Sequence, residues 1–303
     1  MNNWSTLLGK IQSGDRKALA RGISLIENEV AGYDQLLSSL PSNDQTKIIG
    51  ITGPPGAGKS TLVDALIGTL AAQGKKAGVL CVDPSSPFNF GALLGDRIRM
   101  SEWYDHPGVF IRSLATRGSL GGLHPKIIEI TELMKAAGFD FIIVETVGVG
   151  QSEVEIVGLA DVTVVVVVPE AGDEVQTMKA GLMEIADIFV VNKADRPDAD
   201  QFVKNLRLML APAFHTHVQE VPVVKTVASQ KQGIEALYGK ITNVLEQPQH
   251  LSKRSWLLAE RAYYLVQQYR MKTISKESLK EAIEQELQQN RFNLYRFVQQ
   301  YTG

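Results

Sequence analysis

The sequence predicts an α/β protein with a doubly wound, mainly parallel sheet and helical extensions at both ends. Two observations predict this class. Seven short runs of β-branched and other apolar residues alternate with stretches of helical periodicity between residues 46 and 247. The runs are continuously apolar, which is typical of strands that carry helices on both faces of their sheet. The 303 residues are 44% hydrophobic and 21% charged, so we expect about two globular domains, or one α/β domain with additions.

Three zones divide the chain. Residues 1–45 predict an N-terminal helical extension, because apolar residues recur there at helical spacing. Residues 46–247 form the α/β domain. Residues 248–303 predict a C-terminal helical region, in which Ser275 and Ser278 are candidate helix caps. The predicted strands are Ile48–Thr52, Ala77–Val82, Val109–Ser113, Phe139–Glu145, Val162–Val168, Ile188–Asn192 and Val221–Thr226.

Charge and cysteine content exclude several kinds of protein. The 31 basic and 33 acidic residues leave a net charge of -2, whereas a nucleic-acid-binding domain is usually far more basic. The single cysteine, Cys81, excludes an intramolecular disulfide and a multi-cysteine metal site, and is typical of a reducing compartment. The longest strongly apolar run, Val162–Val168, is too short to span a membrane, and no signal peptide is recognisable. We therefore expect a cytoplasmic protein without nucleic-acid or membrane partners.

The first motif lies between a predicted strand and a predicted helix. Gly53–Ser60 fits the pattern G-x-x-x-x-G-K-[ST] of a phosphate-binding P-loop. Glycines let backbone N–H groups turn toward phosphate oxygens, and a helix beginning near Lys59 adds the positive end of its dipole. Lys59 would reach the β- and γ-phosphates, and Ser60 would supply a hydroxyl to Mg²⁺. The predicted phosphate-binding residues are Gly53, Pro54, Pro55, Gly56, Ala57, Gly58, Lys59, Ser60 and Thr61.

A second motif indicates which base the site recognises. Asn192–Asp195, with the sequence NKAD, lies at the end of a predicted strand. The two oxygens of Asp195 can accept hydrogen bonds from the N1–H and the N2 amino group of guanine, whereas adenine would place a lone pair against the carboxylate. Unpaired buried polar groups of that kind discriminate by about 10⁴ or more. The predicted base-binding residues are Asn192, Lys193 and Asp195, with Val227, Ala228 and Ser229 in a later loop.

A third group of residues is expected at the γ-phosphate. Glu145 ends a predicted strand and could hold Mg²⁺ through water, and the N–H of Gly148 could contact the γ-phosphate. Asp83, at another strand end, and Asp96, beyond it, are further candidates, although a surface acid would also explain Asp96. The predicted metal ligands are Ser60, Asp83, Asp96 and Glu145. The predicted catalytic residues are Lys59, Glu145 and Asp96.

The residue that positions the attacking water is left open. Gln151 is one candidate, and a polar residue at a helix start explains it equally well. A transition-state cation could come from Arg97, Arg99 or Lys179. An ordinary solvated or salt-bridged role also explains each of these three residues.

Six stretches carry a resemblance to a known family. They are Gly53–Asp64, Val82–Ser86, Gly95–Met100, Glu145–Glu153, Pro169–Glu174 and Asn192–Asp195. Together they resemble the MeaB/ArgK family, the methylmalonyl-CoA mutase-associated GTPases, within the P-loop GTPases that carry Glu rather than Asp in the third motif. The segment Gly14–Ile26 also resembles the N-terminal helical segment of that family.

The resemblance implies a GTPase that binds GTP, GDP and Mg²⁺ and acts as a chaperone. Its partner would be an adenosylcobalamin-dependent acyl-CoA mutase, usually methylmalonyl-CoA mutase. It would gate cofactor loading and protect the mutase from inactivation. The resemblance also implies a homodimer to which the C-terminal region contributes, and a mobile switch from Glu170 to Lys179 that couples nucleotide state to the mutase.

Three other functions stay open. A nickel-insertion GTPase of the hydrogenase or urease accessory type shares the fold. Such proteins often carry metal-binding Cys or His residues, and His215 and His217 are the one close histidine pair in the sequence. A transport-linked kinase would need an acceptor pocket and a base, which the sequence does not locate. A non-catalytic nucleotide-binding protein is disfavoured by the intact Lys59, Ser60 and Glu145.

Overall fold

The sheet of the computed structural model contains seven strands. They are β1 (Lys47–Thr52), β2 (Ala77–Asp83), β3 (Val109–Ala115), β4 (Phe141–Glu145), β5 (Val162–Val167), β6 (Ile188–Val191) and β7 (Val223–Lys225). Their order across the sheet is β3–β2–β4–β1–β5–β6–β7, and every neighbouring pair is parallel. The α/β class with a doubly wound parallel sheet, which the sequence predicts, is confirmed.

The structure describes residues 4–83, 100–117, 122–148, 154–171, 185–210, 221–246, 251–271, 274–289 and 291–302. The chain forms two compact units, Met1–Arg254 and Ser255–Gly303. Strands occur in the first unit, and the described part of the second is helical.

All seven strands differ from their predicted bounds, by one to three residues each, and two of them begin later than predicted. β4 begins at Phe141 rather than Phe139, whose carbonyl accepts a hydrogen bond from the Thr46 hydroxyl at 2.7 Å. β7 covers three of the six residues predicted, and it begins after Pro222, which has no N–H to donate to a strand ladder. At the carboxyl edge, β1 and β4 end at the predicted residues, Thr52 and Glu145, whereas β2, β3, β5 and β6 each end within two residues of their predicted ends.

Helices cover both faces of the sheet. Those before residue 250 are α1 (Trp4–Gln12), α2 (Arg16–Glu27), α3 (Tyr33–Ser38), α4 (Lys59–Ala72), α5 (Ile127–Lys135), α6 (Val154–Leu159), α7 (Ala199–Leu210) and α8 (Ile234–Leu245). Val164 and Val166 of β5 pack with α4 and α8, whereas Val165 and Val167 pack with α7. Since all four are fully buried, the apolar run that predicts this strand reflects burial on both faces.

The predicted N-terminal helical zone forms α1, α2 and α3. Asp15 caps α2, because its carboxylate accepts the N–H groups of Lys17 and Ala18 at 2.9 and 3.0 Å. α2 packs on α5, where a Cβ on Gly22 would lie 2.9 Å from a methyl group of Leu133. The close approach of the two helices therefore depends on a residue without a side chain.

Aspartates close the amino-terminal edge of the sheet. Asp161 accepts the N–H of Ile48 in β1 at 2.7 Å, and Asp187 accepts that of Thr163 in β5 at 2.7 Å. Asp140 accepts the N–H of the residue before β2 at 2.8 Å. These carboxylates satisfy main-chain donors that the parallel ladder leaves unused at its start.

The last three helices are α9 (Leu251–Arg270), α10 (Lys276–Gln288) and α11 (Leu294–Thr302). Ser275 and Ser278 cap α10 reciprocally, each side chain accepting the main-chain N–H of the other. The second unit buries Phe297 but exposes many large apolar side chains, among them Trp256, Tyr263, Tyr269, Leu287 and Tyr295. Among the described residues, none of the helices combines the length and apolar character needed to cross a bilayer.

His124 shapes the turn before α5 and is 2% exposed. Its Nδ1 accepts the N–H of Lys126 at 3.0 Å, and its carbonyl accepts that of Ile127 at 2.9 Å. Burial, followed by the positive charges of Arg117, Lys126 and Arg112, lowers the pKa of His124 from 6.5 to about 4.

This shift predicts that acid weakens the fold. Between pH 6.5 and 4 the unfolded chain binds a proton at His124 that the folded chain does not, so the free energy of unfolding falls as the pH falls. We expect a loss of about 1–2 kcal/mol from pH 7.5 to 5.0, allowing for solvent screening. Urea unfolding at both pH values would measure it. In His124→Asn, which can still accept the Lys126 N–H but does not titrate, this component should disappear. An equal loss in both proteins would contradict the assignment.

Candidate nucleotide-binding site

The predicted phosphate-loop residues lie between β1 and α4. α4 begins at Lys59, and Gly58 precedes it in a left-handed conformation (φ +87°) that glycine adopts without strain. The Nζ of Lys59 donates to the carbonyl oxygens of Gly53 at 2.8 Å and Pro54 at 3.2 Å. A buried ammonium group thus lies over the loop at the positive end of a helix, which suits anionic phosphate groups. Among the other predicted members, Pro55 and Gly56 are exposed, Thr61 is half-buried and Ala57 is buried.

Asn192 ties this loop to two other segments. Its Nδ2 donates to the carbonyl of Ala57 at 2.9 Å. Its Oδ1 accepts from the Thr226 hydroxyl and from the Ala228 N–H, both at 3.1 Å. A Cβ on Gly58 would lie 2.4 Å from the Asn192 Nδ2, so the glycine also makes room for this amide. The described contacts of Asn192 brace the phosphate loop from within the protein.

Two other residues of the predicted base motif lie beside the loop. Lys193 donates from Nζ to the carbonyl of Gly56 at 2.8 Å. Asp195 is exposed, so its carboxylate is accessible to a ligand. The next residue, Arg196, forms an ion pair with Glu170, and its hydrogen bond lowers the pKa of that carboxyl. The motif therefore braces the loop with its first two residues and presents a carboxylate with its last.

The later loop predicted to touch the base is partly engaged with the protein. The N–H of Val227 donates to the Gln232 carbonyl at 3.1 Å, and the N–H of Ala228 donates to Asn192. Val227 and Ala228 are buried, whereas Ser229 is exposed. The main-chain N–H groups of Val227 and Ala228 are therefore hydrogen-bonded within the protein, and Ser229 is the residue of this loop that lies at the surface.

Three of the four predicted metal ligands lie at the carboxyl edge of the sheet. The Ser60 hydroxyl donates to Glu145 Oε1 at 2.7 Å. Cys81 pairs opposite Glu145, so Asp83, two residues later in β2, faces the same α4 side of the sheet. Mg²⁺ is usually held by one or two carboxylates with phosphate oxygens and water, and these buried oxygen donors fit that pattern. Asp96 lies outside the described residues. Within the described ranges, no three or more His, Cys, Asp and Glu residues are grouped so that they could hold a metal ion. A Mg²⁺ ion at this edge would therefore also need phosphate oxygens and water as ligands.

Gly148 lies directly against the phosphate loop. It adopts φ +83°, and a Cβ at this position would lie 2.3 Å from both the Nζ of Lys59 and the carbonyl oxygen of Gly53. The main chain of the third motif therefore approaches the phosphate-loop lysine as closely as a residue without a side chain permits. A ligand phosphate held by Lys59 would lie within reach of this main chain.

Three threonines that are not among the predicted site residues also lie in this region. The hydroxyls of Thr52 and Thr146 lie 2.9 Å apart, and that of Thr226 donates to Asn192. All three threonines are buried at strand ends beside the predicted motifs. A threonine at the end of an apolar strand is the feature of the sequence that could have identified them, since an ordinary apolar strand needs no polar group there.

The structure brings together Lys59, Ser60, Glu145 and Gly148. Asn192 and Lys193 hold the phosphate loop through hydrogen bonds to its carbonyl groups. Several other predicted residues lie outside the described residues. They are Asp96, Arg97, Arg99, Gln151, Lys179, His215 and His217, with residues 172–179 of the predicted switch.

One family model and several known proteins are similar to this chain. The family model described as "Methylmalonyl Co-A mutase-associated GTPase MeaB" matches residues 19–286. A Pyrococcus abyssi relative named as a GTPase is 52% identical over 239 residues, 78% of this chain and 74% of that protein. GTPase ArgK of Escherichia coli is 37% identical over 80% of this chain and 76% of its own length. The mitochondrial methylmalonic aciduria type A homolog of Caenorhabditis elegans is 39% identical over 64% of this chain and 52% of its own length.

Solved structures show the same fold. A structure described as an LAO/AO transport system kinase is 27% identical, with a TM-score of 0.68 over 100% of this chain and 98% of that chain. The hydrogenase maturation factor HypB of Archaeoglobus fulgidus has a TM-score of 0.50 at 21% identity, over 75% of this chain and 100% of its own. The likeness to HypB is one of fold alone.

The packing of Gly148 predicts the effect of one added methyl group. In Gly148→Ala, the Cβ cannot occupy its place without displacing Lys59 or the third motif. We expect GTP hydrolysis to fall about tenfold or more, which corresponds to about 1.4 kcal/mol in the barrier. Steady-state release of phosphate would measure it. Gly138→Ala is the matched control, because Gly138 has φ +75° and no atom within 4 Å of an added Cβ. Equal rates in wild type and Gly148→Ala would contradict the arrangement.

Proposed function

The chain belongs to the MeaB family of methylmalonyl-CoA mutase-associated GTPases, and we propose that it is the chaperone of an adenosylcobalamin-dependent acyl-CoA mutase. As a member of this family it is a GTPase. We propose methylmalonyl-CoA mutase as its partner in the cytoplasm, with gated cofactor loading and protection from inactivation as the task. The family description and the name of the Caenorhabditis elegans relative support this partner.

Hydrolysis is proposed to depend on charge neutralisation around the γ-phosphate. Lys59 would offset the charge that develops on the β- and γ-phosphates, and the N–H of Gly148 would donate to a γ-phosphate oxygen. The close packing of Gly148 on the Lys59 Nζ is the observation that carries this proposal. A bound Mg²⁺ would supply further positive charge at the phosphates. The residues proposed to hold it are Ser60, Asp83, Asp96 and Glu145.

Guanine specificity is proposed to rest on Asp195. Its exposed carboxylate lies next to the residues that brace the phosphate loop, Asn192 and Lys193. Two acceptor oxygens match the adjacent N1–H and N2 amino donors of guanine. Ser229 is the member of the later loop proposed to lie against the base edge, with Val227 and Ala228 positioning it.

Replacing one acceptor by a donor tests the assignment of Asp195. In Asp195→Asn we expect GTP affinity to fall about a hundredfold or more, because an amide N–H would face the guanine amino group. Xanthosine triphosphate carries a carbonyl at that position, so the variant should prefer it to GTP. Competition binding with the two nucleotides would measure this reversal. Asp198→Asn makes the same chemical change at another exposed aspartate and should leave the preference for GTP intact.

The proposed assembly is a homodimer that uses the C-terminal region. We propose the division into an N-terminal extension (1–45), a GTPase domain (46–247) and this C-terminal region (248–303). The large apolar side chains exposed in the second unit support an interface there, since monomers rarely expose so many together.

A transport-linked kinase is the second candidate, favoured by the description of the solved structure that is 27% identical. Such a protein would move the γ-phosphate to an acceptor rather than to water. The proposed chaperone would release it as free phosphate, so the fate of the phosphate separates the two functions.

Hydrolysis of GTP and ATP, with and without an adenosylcobalamin-dependent methylmalonyl-CoA mutase, tests the proposed function. We expect GTP-selective release of free phosphate that rises when the mutase is added. Lys59→Ala should abolish the activity and so exclude a contaminating enzyme. GTP turnover indifferent to the mutase would reject this partner but keep the GTPase. Preference for ATP would overturn the role of Asp195, and labelled phosphate on an acceptor would favour the kinase.

A further inference from the structure

The connection between β3 and α5, residues 116–126, touches two of the nucleotide motifs. Its described parts are residues 116–117 and 122–126. The N–H of Thr116 donates to the carbonyl of Asp83 at 3.1 Å. The carbonyl of Gly122 accepts the N–H of Val147 at 3.4 Å. Since Val147 is the residue before Gly148, the connection supports the main chain that packs on Lys59.

The same connection is held on its other side by the turn after α2. We call residues 27–33 the N-terminal clamp. Arg117 donates from Nη1 to the carbonyl of Glu27 at 2.6 Å, and from Nη2 to the side chain of Asn28 at 3.1 Å. Arg112, at the edge strand β3, also forms an ion pair with the Glu27 side chain.

Lys126 is the second anchor of the connection to the clamp. It is 5% exposed, and its Nζ lies 2.9 Å from Glu29 Oε1 and 3.1 Å from the Tyr33 hydroxyl. Burial alone would lower the pKa of Lys126, but the hydrogen bonds to Glu29 and Tyr33 outweigh it and raise the pKa above its usual value. A buried charge requires such partners, and both hydrogen-bond partners come from the N-terminal clamp, while the negative charge of Glu129 in α5 adds to their effect.

From these contacts we infer that the N-terminal clamp positions the γ-phosphate sensor. The Glu29–Lys126 ion pair holds the connection where Gly122 can accept the Val147 N–H, and this bond keeps Gly148 in place beside Lys59. Glu29 and Lys126 are thus positioning residues that act through Gly122. This inference rests on the proposed role of Gly148.

Binding of GTP and binding of GDP should respond differently to a looser clamp. GTP carries the phosphate that the Gly148 N–H would contact, whereas GDP lacks it. Loosening the clamp would therefore weaken binding of GTP and leave binding of GDP almost unchanged. Residues that contribute to such coupling change it by about two- to thirtyfold when they are substituted.

The test compares affinities for GDP and for a non-hydrolysable GTP analogue in the full-length protein. We expect Glu29→Gln and Lys126→Met each to raise the dissociation constant of the analogue at least about threefold. The constant for GDP should stay within about twofold. Glu29 has a side chain that is 60% exposed, so Glu29→Gln keeps the inference testable even where Lys126→Met fails to fold.

The chain offers a matched control in α5, the helix that follows Lys126. Lys135 is also buried, but its Nζ pairs with Glu132 of α5 itself, at 2.6 Å. Glu132→Gln and Lys135→Met should leave the ratio of the two affinities unchanged, because this pair does not reach the clamp.

Three results would contradict the role of the clamp. An unchanged ratio in folded Glu29→Gln, with normal GTP binding and hydrolysis by the wild type, would overturn this inference alone. Equal weakening of both nucleotides would show a merely structural role and overturn it as well. Failure of the wild type to bind the GTP analogue would overturn the proposed function together with the inference.

Discussion

The parallel register between β1 and β4 is the constraint on which the rest of the site depends. Ile51 pairs opposite Glu145, so the two strands reach the carboxyl edge of the sheet within one residue of each other. The phosphate loop leaves one strand and the third motif leaves the other, which allows Ser60 to donate to Glu145. A slip of one residue would turn Glu145 to the face opposite α4. Burial of both sheet faces makes such a slip costly, so the apolar core fixes the geometry of the polar site.

The two edges of the sheet use similar residues for different purposes. At the amino edge, Asp140, Asp161 and Asp187 accept main-chain N–H groups in, or directly before, neighbouring strands and so complete the fold. At the carboxyl edge, Asp83 and Glu145 lie beside the helix that follows the phosphate loop. The sequence alone therefore does not show whether a carboxylate next to a strand completes the fold or belongs to a ligand site. Its role depends on which end of the strand it occupies. In this chain the strand direction resolves that ambiguity.

Local patterns predict the strand–loop–helix around Lys59 well, because the apolar run, the glycines and the helix start are contiguous in the chain. Local patterns do not predict the contacts between segments that are distant in the chain. Asn192 belongs to a motif that predicts base contact, yet its amide bonds to Ala57, 135 residues away. The partner of Lys126 lies in the N-terminal helical zone, and no periodicity reveals which of the nearby acids it selects. Such choices depend on the packing of whole helices, which composition and spacing do not contain.

The N-terminal helices owe their influence to the length of α2. Arg16, at its start, donates to carbonyl groups at the beginning of the edge strand β3, including that of Val109 at 2.6 Å. Glu27, at its end, accepts from Arg112 in the middle of the strand and from Arg117 just beyond its carboxyl end. A 12-residue helix spans about 17 Å and a seven-residue strand about 20 Å, so the two elements match. The helix thus holds β3 at its start, in its middle and just beyond its end, and the 3.4 Å hydrogen bond from Val147 to Gly122 is the longest link between the clamp and the third motif. A shift of the clamp would therefore reach Gly148 through this bond.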